Sequence, residues 1–521
     1  MTSVYLISAY LNRVRSDYTD TSSRWSPLPP CLREIIAAAF EVKLLLRVFL
    51  LLLVTVCLPV PAMGEEPAPL PELGDPAGGL ISPDQEFRMG RTWLRQLRGQ
   101  APVLNDPLVQ EYVEHLVYKM ASHSDLHQPD LAIVVINSRE INAFAVPGGV
   151  IGLNAGLLIN AEREDEVAAV VAHEIAHVSQ RHFVRRYADS QRMNTAVMAA
   201  MLASLAVMIS GQADAGVAGL MATQAAAIQQ QLAYSRHHER EADRVGMQTL
   251  VNAGMDPQAM PRFFEKLQRN QQFAGKPLEF LSTHPITEER IADSRARAVT
   301  LPPGNLAEAE AFHLIRARLL AGFYSTPVLA VEHFRSQYRG GSSIQQQAAG
   351  YGLAISALRA KDYPLANQTL QGLQQRFPDQ LWFRVARAEV LQAQQKHDQA
   401  AEVLREVAAL MPHNYAISAL LAGSLIKTDR ATEAAELLEP ILRKRASDPA
   451  LWRLAADAWG YSGNLAMAHL GRGEALFLSG ADERGMDQLR YALDYSKDNF
   501  PLHSRINARL KEMESISKET F

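Results

Sequence analysis

Ala354, Ala388, Ala422 and Ala456 stand 34 residues apart, and Ala366, Ala400, Ala434 and Ala468 repeat that interval in a second phase. Leu370, Leu404 and Leu438 mark a third phase, and Pro378 and Pro412 close two units at the same period. Few folds admit such a repeat. Each unit is one helix pair that cannot bury its apolar face alone, so neighbours must stack into a solenoid. The small residues fall where paired helices touch, and each proline ends a second helix. Residues 310–343 read as a degenerate first unit, and after residue 470 the phase slips, with GEALFLSG expected to open a shorter unit. An array of this kind offers a curved surface to protein partners, and this one carries no cysteine and no evident catalytic set.

The period is that of the tetratricopeptide repeat, and the all-α array is assigned to residues 304–515. A chain of 521 residues has room for two to four domains, so a second core of similar size is expected before it. The net charge of −4 leaves no basic surplus for nucleic acid, which is excluded as a partner. With only two cysteines, Cys31 and Cys57, a disulfide-stapled scaffold is excluded as well.

Residues 48–58 (VFLLLLVTVCL) form a short apolar run behind Lys43 and Arg47, followed by Ala62-Met63-Gly64. A basic flank, a short apolar centre and small exit residues describe a cleaved secretory signal. The run is too short to cross a bilayer comfortably. Cleavage is expected after Gly64, with Ala62 second; residues 1–41 are unlike a signal, and Val42 is a candidate translation start. Removing residues 1–64 takes six basic and four acidic residues, leaving a net charge of −6, and it takes both cysteines. Residues 65–83 are rich in Pro, Gly and acid and read as a linker, so the folded part begins near Asp84.

The chemistry concentrates in residues 163–185 (REDEVAAVVAHEIAHVSQRHFVR). Acids at 162 and 164–166 suit the positive end of a helix that Asn160 is placed to cap, and Val167, Val171 and Val178 mark its buried stripe. On this helix His173-Glu174-Ile175-Ala176-His177 is H-E-x-x-H. Spacing i, i+4 sets two imidazoles on one face to converge on Zn²⁺, and Glu174 reaches a water as general base. Among Ala and Val, two buried His and a Glu would be costly without a metal. A catalytic zinc takes a third protein ligand and keeps one position open. Gln180 and Phe183 stand where H-E-x-x-H-x-x-G-x-x-H needs Gly and His, so that pattern fails. Farther on, SRHHEREADRVGM puts Glu239 and Asp243 at i, i+4 on a helix expected to end near Gly254, with Pro257 beyond. Glu239 is placed to bind zinc and Asp243 to orient a ligand imidazole. Glu241 lies on another face and is the weaker candidate, while His237 and His238 read as solvated residues that stay open as alternative ligands.

HEIAH followed some sixty residues later by EREAD resembles peptidase family M48, the zinc metalloproteases whose third ligand is the first Glu of E-x-x-x-D, here Glu239. Residues 139–158 resemble the family's strand–turn–strand before the zinc helix. Pro147-Gly148-Gly149 would be the turn, and Asn142, Ala143, Phe144 and Ala145 an edge strand able to bind an extended polypeptide by strand addition. Ser282-Thr283-His284-Pro285 resembles a histidine motif of the family's periplasmic β-barrel assembly-enhancing branch. There the His occupies the open zinc position and moves away for activity, so His284 would be an autoinhibitory switch that also polarises substrate once displaced. Some relatives place membrane spans between the zinc motifs. Residues 194–213 and 215–235 are uncharged, but Asn194, Ser204, Ser210, Gln212, Thr223, Gln224 and Gln229 to Gln231 dilute them. They read instead as two amphipathic helices over the active site or against a membrane surface.

The resemblance therefore implies a mainly α fold with a small β-sheet: an H-E-x-x-H zincin domain of gluzincin type over 84–303, then the repeats. It implies one Zn²⁺ per chain held by His173, His177 and Glu239, a periplasmic endopeptidase of misassembled outer-membrane β-barrel proteins, and repeats that dock on the barrel-assembly machinery with a chaperone-like role. The alternative is a chaperone or scaffold whose zinc site is occluded and mainly structural.

Overall fold

The computed structural model describes residues 81–126, 130–189, 236–273 and 278–518. The signal peptide, its cleavage site, most of the linker and residues 194–235 lie outside the described residues.

Helix α1 (Pro83–Gln100) starts on a capping box: Ser82 Oγ accepts from the Gln85 amide and the Gln85 side chain accepts from the Ser82 amide. Pro83 takes the first helical position, where no backbone donor is needed. Helix α2 (Pro107–Ala121) is capped by Asp106. The β-branched run Ala132–Ile136 is strand β1, followed by β2 (Ala143–Val146) and β3 (Val150–Asn154). The sheet order is β1-β3-β2, with β1 parallel to β3 and β2 antiparallel to it, Ala145 opposite Ile151. The β2–β3 turn is Pro147-Gly148-Gly149, as expected, with both glycines at positive φ. A Cβ on Gly148 would stand 2.5 Å from the Glu86 carbonyl, so the turn needs glycine and is seated on α1. The edge strand runs one residue later than expected: Asn142 precedes it and Val146 belongs to it.

After the short helix α3 (Ala155–Asn160) comes α4 (Glu164–Ser179), the H-E-x-x-H helix. Two expectations for it change. Asn160 does not cap it; its side chain turns back to the Gly156 carbonyl (2.8 Å), and Arg163 stands at the N-cap without a side-chain bond. The freed amide is met by Glu166, which accepts from Glu162 N–H at 2.8 Å. Nor is there a single buried stripe: every residue from Asp165 to His177 is buried, whereas Val178 is half-exposed. The reason is that α2, β2 and two later helices, α6 (Arg236–Asn252) and α7 (Ala259–Phe273), pack around α4. The helix also stops short of Arg185. Arg181 adopts φ +49°, held by the Ile81 carbonyl and the Glu86 carboxylate, and a new helix, α5 (His182–Asp189), begins.

Helix α6 meets α4 backbone to backbone. A Cβ on Gly246 would lie 3.0 Å from the His173 amide nitrogen, an approach that glycine permits. It ends at Asn252, with Gly254 at φ +72°. Two further helices, α8 (Glu279–Thr283) and α9 (Glu288–Thr300, capped by Thr287), flank His284.

The repeats run from α10 (Glu310–Phe323) to α21 (Phe500–Lys518). All eight phased alanines and all three phased leucines are at most 1% exposed, which is the packing their period demands. GEALFLSG does not open a new unit. It forms the end of α19 (Leu465–Phe477), and the next helix, α20, starts at Asp482. The phase breaks because Gly471 and Gly473 replace larger residues at helix contacts, where a Cβ would meet Ala456 Cβ at 2.9 Å and Leu489 Cδ1 at 2.1 Å. The array wraps the sheet-bearing part. Arg318 on α10 joins Asp106 (2.6 Å) to Glu389 (2.6 Å), Tyr415 N–H donates to Glu111, and Arg95 on α1 lies 4.1 Å over the Phe477 ring.

Candidate metal centre

Helix α4 presents His173 and His177 on one face, α6 brings Glu239, and the α8–α9 connection brings His284. All four are buried, and one ligand atom from each lies within 4.8 Å of the others. His173 Nε2 is 3.0 Å from His177 Nε2, 3.3 Å from His284 Nδ1 and 3.5 Å from Glu239 Oε2. Glu239 Oε1 is 3.5 Å from His177 Nε2 and 3.2 Å from His284 Nδ1. A tetrahedron of N and O ligands about 2.0–2.1 Å from one metal ion has edges of about 3.3 Å. The donor set therefore fits a tetrahedral cation in spacing and in chemistry.

Electrostatics point the same way. Burial disfavours a charged His173, but hydrogen bonds from Asp243 and Glu239 outweigh it and carry its pKa up to about 9. His177 is held well below the ordinary value by burial and by the facing His173. Burial pushes the Glu239 carboxyl up, yet His284, His173 and Arg290 hold it well below the usual range, so it stays an anionic donor. Two imidazole nitrogens 3.0 Å apart beside a carboxylate are arranged around positive charge.

Glu174 is fully buried beside this cluster. Burial raises its pKa, opposed by His284 and His173, which suits a base that works near neutrality. Its carboxylate accepts from the Ala145 amide on the edge strand and lies 3.4 Å from His284 Nε2. Asp243 Oδ1 is 3.0 Å from His173 Nδ1, on the far side of the ring from the cluster. Glu241 faces away from the centre, towards His182 (3.2 Å) and Arg185 (3.0 Å). His237 is largely exposed, but His238 is buried and stacks on His182, so the reading of both as solvated holds for one alone; neither joins the cluster. Packing of α6 against α5 is what encloses His238.

Along the edge strand, Asn142, Ala143, Phe144 and Ala145 are all buried. The Phe144 ring fills the space over Gly152 and meets Trp93 edge-on at 5.6 Å. What the strand can offer a polypeptide is thus its backbone. At its start, the Phe280 amide of α8 donates to the Ile141 carbonyl at 3.3 Å.

Two contributors carried no sequence signal as site residues. Arg290, buried on α9, donates to both Asp243 oxygens at 2.8 Å, reaches Glu239 at 2.8 Å and holds the Pro285 carbonyl at 2.7 Å. His182 lies behind His177. Their contacts cross between elements, and no local spacing encodes them.

Residues 107–298 match peptidase family M48, and residues 391–458 match a tetratricopeptide repeat. The β-barrel assembly-enhancing protease of Escherichia coli (strain K12) is 33% identical over 458 residues, 88% of this chain and 94% of that protein. The putative β-barrel assembly-enhancing protease of Vibrio cholerae is 34% identical, over 89% of this chain and 96% of the relative. The mitochondrial metalloendopeptidase OMA1 of Schizosaccharomyces pombe is 31% identical over 182 residues, 34% of this chain and 50% of its own length. A likeness that runs through both the metal-centre helices and the repeats settles the kinship: the chain belongs to peptidase family M48, as a metalloendopeptidase that carries tetratricopeptide repeats.

Proposed function

We propose that this chain is a zinc-dependent periplasmic endopeptidase that degrades misassembled outer-membrane β-barrel proteins and assists their assembly, with the repeats docking substrates and the barrel-assembly machinery. The names and coverage of the two β-barrel assembly-enhancing relatives support the substrate class. The observation that carries the chemistry is the near-tetrahedral spacing of His173, His177, Glu239 and His284. Among the described residues no helix is long and apolar enough to cross a membrane.

In this reading His173, His177 and Glu239 hold one Zn²⁺, and Asp243 fixes the His173 ring from behind. When bound, zinc lowers the pKa of water and polarises the scissile carbonyl. Glu174 takes the proton of the attacking water and delivers it to the leaving nitrogen. The edge strand aligns the substrate backbone beside Glu174. The test is metal content and cleavage together. The purified chain should hold one zinc and cleave an unfolded outer-membrane β-barrel protein, lose that activity to a chelator and regain it on adding zinc. Cleavage that survives complete zinc removal ends the proposal.

His284 fills the fourth vertex of the donor set, the position that catalysis needs open. It is therefore read as an autoinhibitory ligand. His284→Ala is expected to raise the initial cleavage rate about tenfold, the response of a site that is about nine-tenths closed. If both the basal rate and the zinc affinity were unchanged, the switch reading would be abandoned.

A further inference from the structure

We infer that His182 is a positioning residue for His177, anchored in turn by Glu241 and Arg185; the inference rests on the metal-centre reading above. A histidine that offers Nε2 to a metal carries its hydrogen on Nδ1, and the partner of that hydrogen fixes the ring. For His173 the partner is the Asp243 carboxylate at 3.0 Å. For His177 it is another imidazole: His177 Nδ1 lies 2.8 Å from His182 Nδ1. Two ring nitrogens this close share one hydrogen. Since His177 Nε2 is turned to the centre, the hydrogen belongs to His177 Nδ1, and His182 Nδ1 accepts it. His182 then bears its own hydrogen on Nε2, which donates to Glu241 Oε2 at 3.2 Å. Arg185 donates to the same carboxylate oxygen at 3.0 Å. The tautomers follow from this network of partners.

The local fold is built for this contact. On an unbroken helix, residue i+5 lies about 140° round from residue i and could not face it. The left-handed Arg181 ends α4 and restarts the chain as α5, which returns His182 beneath His177. The His182 side chain is wholly enclosed, and the buried His238 ring stacks on it at 4.6 Å and 21°, so it cannot swing out. Glu239, Glu241 and Asp243 then divide the work of one helix. The first faces the centre, the last backs His173, and Glu241, on the other face, backs the ring behind His177. A carboxylate-anchored imidazole sets the orientation of His177 and raises its basicity as a ligand.

The test uses the full chain and reads zinc affinity, by competition with a chromogenic chelator, together with the visible spectrum of the cobalt-substituted protein. His182→Leu is expected to weaken zinc binding about 10–100-fold and to change the cobalt bands. His182→Gln, whose amide can accept from His177 and donate to Glu241, should stay within about threefold of wild type if the hydrogen bonds, rather than bulk, are what matter. Glu241→Leu, at a half-buried site, should weaken binding in the same direction, and it decides the matter if His182→Leu does not fold. Wild-type affinity and cobalt spectrum in His182→Leu, or in Glu241→Leu where that variant decides, overturn the inference, as does a His182→Gln protein as weak as His182→Leu. His173→Ala separates the two readings. If it binds zinc as tightly as wild type, the metal-centre reading falls as well; if it loses zinc while His182→Leu keeps it, this inference alone falls.

Discussion

Glu174→Gln should lower the cleavage rate by about 10²–10⁴-fold, the range a positioned general base contributes. That is about 2.7–5.4 kcal/mol of transition-state stabilisation. The substitution keeps the shape of the side chain and removes only its ability to take a proton. It should leave the fold intact, because Glu174 is a wholly buried carboxyl whose pKa is raised by burial. A neutral amide avoids the cost of enclosing that charge, so thermal stability should be unchanged or higher. Zinc content should also persist, since Glu174 is outside the four-residue donor cluster. The check is single-turnover cleavage of an unfolded β-barrel protein, with metal analysis and a thermal melt on the same sample. A variant that folds, holds zinc and still cleaves at the wild-type rate would remove Glu174 from the chemistry. An inactive but zinc-loaded variant also speaks against a purely structural zinc site.

What could be read from the sequence follows from how far each contact reaches. Both halves of the zinc motif lie on helices, where i, i+4 spacing fixes the shared face; His173 with His177 and Glu239 with Asp243 could be read by that rule alone. The repeats were legible for a similar reason, since each unit packs only on its neighbours and the contact residues recur in phase. The phase was lost at Gly471 and Gly473, where close helix approach is achieved without alanine. His284 needed a family resemblance, because nothing near it in sequence says that it turns towards residues 173 and 239. His182 was hidden by a rule that is sound for helices, that residue i+5 faces elsewhere; the break at Arg181 suspends it. Asn160 misled for a local reason: the side chain that could cap α4 finds the Gly156 carbonyl of its own helix first. Arg290 had no precursor signal, being an arginine in a charged helix whose opposite side is exposed.

Arg290→Met should cost about 3–5 kcal/mol, the usual consequence of removing one partner from a buried ion pair. The guanidinium is 4% exposed and lies between two carboxylates, with bidentate bonds to Asp243 and one to Glu239. It also stands 5.1 Å over the Phe264 ring and ties down the Pro285 carbonyl. A methionine can fill the volume but leaves two acids buried near each other with their common cation gone. Asp243→Leu combined with Arg290→Met should recover part of the loss, because the stranded carboxylate is then removed too. The pH dependence gives a second readout. Burial raises the Asp243 pKa, but Arg290 and His173 hold it below the ordinary value. Such a group contributes stability that is present above its unfolded pKa and lost as pH falls through its lower folded pKa. Without Arg290 the folded pKa moves up and that contribution shrinks, so acid unfolding should begin at a higher pH in the variant. Urea midpoints measured from neutral to acid pH test both statements. A variant as stable as wild type, with the same acid limb, would mean that metal and imidazoles alone balance the two carboxylates. The same residue links the metal centre to the segment bearing His284, through the Pro285 carbonyl. Arg290→Met should therefore also loosen that segment, and the surviving folded fraction should show faster basal cleavage per molecule than wild type.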